Sequence, residues 1–201
     1  NSGMGVGEMS MSVNNDSVFR MKGDVLRFNS GDTRLDTLRF DAWQQTNVLN
    51  YTAMIGNRPG TLDKFAHVDV KGAIADDKVS VFVTQRNIAK AIGFNLGATA
   101  TIGDTTLLVQ FAPVTPIIGY KNWEINEDNY LMYNLANHHI DAKMLMSSDD
   151  SHLNLYTEHT HTDNQQEDIV LNINNIKLSE LMSVSPFAPP IKGVVSTDMR
   201  F

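Results

Sequence analysis

The sequence predicts an all-β fold, an elongated meander of antiparallel hairpins folded into an open apolar groove, with one or two short helices. Three observations predict it. Apolar and polar residues alternate with period two over most of the chain, as they do in strands with one buried face. Clusters of Gly, Asp, Asn and Ser separate the alternating runs, and these residues reverse a chain cheaply between paired strands. Apolar spacings of three and four, which a helix needs, are scarce.

The runs follow one another along the chain. "EMSMSV" sets Met9, Met11 and Val13 against Glu8, Ser10 and Ser12. "VSVFVTQ" sets Val79, Val81 and Val83 against Ser80, Phe82 and Thr84. "LGATATI" alternates Leu96, Ala98, Ala100 and Ile102 with glycine and threonine. "IDAKMLM" does the same with Ile140, Ala142, Met144 and Met146, and "HLNLYTEHTHT" with Leu153 and Leu155. Turns are expected at 29–33, 56–60, 75–78, 103–105, 126–129 and 147–151. Three stretches share the plan strand, tight acidic turn, strand: "VKGAIADDKVSVFV", "LGATATIGDTTLLVQF" and "HIDAKMLMSSDDSHLNLYT". At ordinary strand lengths this gives roughly fourteen to seventeen strands. "QRNIAKAIGFN" is expected to form a short helix capped by Asn87 and stopped by Gly93, and "LSELM" (178–182) a second.

One side of such a sheet wants burial and the other tolerates water. A closed sandwich or barrel would satisfy this, as would a long folded sheet with an apolar inside. Strands at both ends of the chain favour the open sheet, because a closed barrel cut there would lose its seam. The glycine-rich start and the abrupt finish read as boundaries of a fragment, so residues 1–201 are taken as a single β-rich piece of a longer protein. Ten methionines suit a lumen that adapts its shape, and suit an ordinary core equally.

Composition excludes several classes. With 42% hydrophobic and 19% charged residues the chain can build a core. A net charge of −7 opposes nucleic-acid binding, which needs clustered cations to displace counterions. Cysteine is absent, which removes disulfides and thiolate chemistry. No apolar run reaches the length of a membrane helix, and no basic-then-apolar leader is present.

No catalytic constellation is found. The sequence holds no G-x-S-x-G, phosphate-binding glycine loop or H-E-x-x-H, and "GMGVG" lacks the flanking strand and helix of a dinucleotide fingerprint. Asp76, Asp77, Asp128, Asp149 and Asp150 sit in turn signals, where carboxylates usually cap backbone. His159 and His161 share a strand face and could chelate, with His152 or Asp163 as a third ligand. Their wholly polar surroundings read instead as a solvated loop, so no metal and no cofactor are expected. His138 and His139, adjacent on a strand, would point to opposite faces. Trp43, Trp123 and Tyr130 could be core anchors or the stacking platforms of a glycan-binding module.

Three stretches carry a family resemblance: "DTTLLVQFAPVTPIIGYKNWEINEDNYLMYN", "HIDAKMLMSSDDSHLNLYT" and "DIVLNINNIKLSELMSVSPFAPPIKGVVSTDMRF". They resemble the large TamB-like envelope proteins of Bacteroidetes, translocation and assembly modules of the wider AsmA-like group. In the last stretch an Asn-rich strand leads to a short helical element, a proline-bearing connection, a glycine and the next strand. The matching positions are Leu178, Ser179, Leu181, Pro186, Pro190, Gly193 and the strand to Phe201. The resemblance is clearest over 60–201. It implies a periplasmic protein, anchored in the inner membrane, whose curved sheet shelters phospholipid acyl chains in a greasy "β-taco". It also implies an outer-membrane barrel partner; anchor and partner contact would lie in other parts of a longer protein.

From the alternation, the residues expected to line the groove are Val79, Val81, Val83, Leu96, Ala98, Ile102, Leu107, Val109, Ile140, Met144, Met146, Leu153 and Leu155. The rival expectations are an extracellular glycan- or protein-binding β-sandwich and a structural spacer with a dry core; an enzyme ranks last.

Overall fold

The computed structural model describes residues 4–14, 19–30, 33–56, 67–111, 114–159, 167–185 and 188–201. Eight long strands come first: β1 (Met4–Asn14), β2 (Arg20–Ser30), β3 (Thr33–Gln45), β4 (Val48–Gly56), β5 (His67–Ala75), β6 (Lys78–Arg86), β7 (Ile92–Ile102) and β8 (Thr106–Phe111). Three two-residue strands follow, β9 (Ile117–Ile118), β10 (Lys121–Asn122) and β11 (Glu124–Ile125). The chain continues through β12 (Tyr130–Asn134), β13 (Ile140–Ser148), β14 (Ser151–His159), β15 (Glu167–Lys177), the helix α1 (Leu178–Ser183) and β16 (Val194–Arg200).

All sixteen belong to one sheet, in which the main path runs in sequence order from β1 to β8 and on through β12 to β16, every pair antiparallel. The end strands β1 and β16 do not pair, so the sheet is open, as expected from the sequence. The accessible surface is 12923 Å² for 22.3 kDa, against roughly 9,400 Å² for a compact monomer of that mass. A meander that is not closed on itself leaves that excess.

Tight turns explain the simple order. Asp76 and Asp149 adopt positive φ of 47° and 53° in the two-residue turns joining β5 to β6 and β13 to β14, where a primed turn matches the strand twist. Thr46, at φ 54°, does the same between β3 and β4. Gly119 and Tyr120, at 66° and 64°, join β9 to β10. Part of the turns expected at 29–33 and 56–60 lies outside the described residues.

The helix expected over Asn87–Gly93 is absent, whereas the one expected over 178–182 is α1. Residues 87–91 form a turn in which Asn87 Oδ1 accepts from the Ala91 amide at 3.0 Å, and Lys90 stands at φ 63°. Asn87 therefore caps backbone, but of a loop. So short a span needs tertiary packing to repay helix nucleation, and Ile88, which would anchor its apolar face, is 59% exposed. Gly93 belongs to β7, where a Cβ would collide with the Tyr120 ring.

Candidate functional site

The ladder register sorts the side chains onto two faces, since residues directly opposite in antiparallel strands point the same way. Val79, Val81 and Val83 stand opposite Ala100, Ala98 and Leu96. Ala98, Ala100 and Ile102 stand opposite Phe111, Val109 and Leu107. Val109 and Leu107 face Leu131 and Tyr133, which face Ala142 and Ile140. Met144 and Met146 then meet Leu155 and Leu153. All thirteen residues expected from the sequence thus lie on one face of one sheet.

The same register extends the face beyond the expected residues. Toward β3 it takes in Ile74, Val70, Ala53, Tyr51 and Phe40, and toward β16 Leu171, Ile173 and Met199. Alternation in "LNYTAMIG" and "HVDVKGAIA" is the signal that identifies the first group. Tyr51 crosses this face in contact range of Gly72, where a Cβ would meet its ring. Its hydroxyl donates to the Ser80 carbonyl at 2.8 Å, so the ring serves as apolar floor without leaving a polar group unpaired. Gln85 is one of the polar residues on this face, with Ser148, Ser151 and Thr157, and is buried beside Gly93 and Tyr120 with no hydrogen-bond partner for its Oε1.

The opposite face is laced with ion pairs, and also holds the buried Val170 and the exposed Leu145. Arg20 bonds Asp41 at 2.7 Å, Arg39 bonds Asp24 at 2.7 Å, Arg86 bonds Asp69 at 2.7 Å and Arg200 bonds Glu158 at 2.8 Å. The Arg20 guanidinium is held above its usual range by its hydrogen bond to Asp41. Lys143 pairs with Asp128, whose carboxyl is held below its usual range by that bond and by Asn126. Water can cover this face; the other invites an apolar partner.

That face is incompletely covered. Of the thirteen residues, Met144 and Met146 are buried and Ile102 is 50% exposed; the other ten are half-buried. Ile74 and Leu38 on the same face are 41% and 37% exposed. The described core is small: one cluster packs Trp123, Met146 and Ile176 with Ile118, Ile125, Leu153, Ile173 and Leu181, and Ala42, Ala142, Met144 and Val170 are buried outside it. Trp123, 5% exposed, is therefore a core anchor and offers no open ring for sugar stacking. Tyr130 is half-buried, its hydroxyl bonded to Asp141 at 3.1 Å; burial, then that bond, holds its ionisation above the ordinary range.

The five turn aspartates all lie in turns, and Asp128 and Asp150 are engaged by Lys143 and Asn175. His138 and His139 sit in the connection between β12 and β13, not on a strand, with His138 Nδ1 bonded to the Tyr133 hydroxyl at 2.7 Å. His159 ends β14 opposite Glu167; His161, Asp163 and Pro186 lie outside the described residues. Among the described residues no three His, Cys, Asp or Glu group as metal ligands, and no helix is long and apolar enough to cross a membrane.

The fold and face define a class: an open, single-sheet β meander with one continuous apolar side. No family model, curated protein or solved structure matches the chain.

Proposed function

We propose that the chain is a periplasmic segment of a TamB-like protein that shields phospholipid acyl chains along the apolar face of its sheet, between inner and outer membranes. The observation that carries this reading is the alignment of all thirteen alternating residues on one face of an unclosed sheet, most of them only half-buried. Moving a sixteen-carbon tail out of a bilayer puts on the order of 13 kcal/mol at stake, at about 0.8 kcal/mol per CH₂. A continuous apolar surface offsets that cost by contact alone, so the function proposed is not enzymatic and uses no cofactor. In this reading an inner-membrane anchor and an outer-membrane barrel partner belong to other parts of a longer protein. Burial of Trp123 weakens the glycan-binding alternative, and a second sheet packed on the apolar face, which a sandwich needs, is missing among the described residues.

Photo-crosslinking of a diazirine phospholipid to the full chain tests the proposal. Val81→Asp places a charge on the half-buried face without touching the packed core, and should abolish labelling of a folded protein. Unchanged labelling in a variant with the parent's circular dichroism would overturn the reading.

A further inference from the structure

The apolar face is not equally open along the strands. At one set of strand ends Ile74 and Ile102 stand 41% and 50% exposed; toward the other, Trp123, Met146 and Ile176 are 5%, 5% and 6% exposed. There the side chains of Trp123, between β10 and β11, and of Leu181 in α1 pack with Met146 and Ile176, while β9 and β11 lie in the sheet beside β7 and β13. Trp123 spends its polar edge internally, Nε1 donating to the Ile118 carbonyl at 3.3 Å and its amide to the Pro116 carbonyl at 2.8 Å.

Side chains clasp the two segments together. α1 lies against the β9–β10 turn so closely that a Cβ on Gly119 would stand 2.9 Å from the Glu180 carbonyl oxygen. Lys121 Nζ bonds Glu180 at 3.1 Å and Asp149, in the β13–β14 turn, at 3.3 Å. Lys177 approaches the same Glu180 carboxylate at 3.8 Å. At the other end of the helix connection, the Leu178 amide donates to the Gly193 carbonyl at 3.0 Å, tying the start of α1 to the entry of β16.

We infer that Trp123 and α1, clasped to the β9–β10 turn, form a cap that withdraws the Met146 end of the apolar face from ligand and confines a bound acyl chain to the rows through Val81 and Ala98. This rests on the acyl-chain reading of the face, though the cap is also open to test without lipid. A chain entering under the cap would have to expose Trp123 and part both Lys121 ion pairs, and would find Met146 already buried. Along Val81 and Ala98 it covers surface that still faces water, which is where contact yields a gain.

The test uses the full chain with Trp43→Phe, so that only Trp123 emits. Acrylamide should quench it weakly, and Lys121→Ala should raise the quenching constant about twofold or more by freeing local opening. Palmitate carrying a terminal diazirine should label β6–β7 peptides and spare those holding Met146 and Ile173. Lys121→Ala, or Trp123→Ala if it folds, should let label reach them. Free quenching in the parent, or parental label at Met146, overturns the cap. A shielded Trp123 with no label anywhere on the face instead sinks the acyl-chain reading, and confinement with it.

Discussion

Trp123 shows how much one side chain can carry in a molecule with a small core. It is the largest member of the cluster that joins Met146 and Ile176. Replacing it by alanine should cost about 3–5 kcal/mol, the usual range for a buried aromatic, read as a lowered urea midpoint. Gly72 is a second sensitive residue. A methyl group there would meet both the Tyr51 ring and the Ser80 carbonyl, so Gly72→Ala should destabilise by about 1–3 kcal/mol through overpacking. Asp128 makes a pH prediction. Its folded pKa lies below the ordinary carboxylate value of 3.8 because Lys143 and Asn126 bond the ionised form. The resulting stabilisation is present above that value and is lost as pH falls through the folded pKa. Asp128→Asn should therefore flatten the acid limb of the stability profile.

At the scale of elements, the clasp between α1 and the β9–β10 turn behaves oppositely with pH. Lys121 is held above the ordinary lysine value of 10.5, first by Glu180 and then by Asp149. Its contribution is complete below that value and is lost as pH rises through the folded pKa. Acrylamide access to Trp123 should therefore rise above about pH 10.5 in the parent and be pH-insensitive there in Lys121→Ala. Because the pairs are exposed, the same substitution should leave the global urea midpoint close to the parent's. A large loss would mean that Lys121 supports the sheet and not the cap alone.

Across the whole molecule, nearly every strand touches only its sheet neighbours. Such a quasi-one-dimensional array need not unfold as one unit. Trp43 reports on β3, far along the sheet from the cap, and Trp123 reports on the cap. Among the described residues the β3 side carries few buried apolar residues, Ala42 being one. Urea unfolding followed separately in Trp43→Phe and Trp123→Phe should give two transitions, that of Trp43 at lower urea. Coincident transitions would show that the sheet behaves as one cooperative body.

Period-two alternation by itself determined the all-β class, the hairpin order and the face on which Val79, Val81, Val83, Leu96 and Ala98 lie, because side-chain direction in a strand depends only on parity and local turns fix the register. The "LSELM" run, read apart from the alternation, located α1. The expected helix after Arg86 failed because its caps were local while its apolar contacts, which are tertiary, are missing: Ile88 has nothing to pack against. Burial was decided only by tertiary structure. Met146 is buried and Ile102 half exposed on the same face, because Trp123 and Leu181 pack with Met146 while Ile102 stands outside that cluster. No pattern within "IDAKMLM" or "LGATATI" could carry that difference, since the covering side chains come from segments remote in the chain.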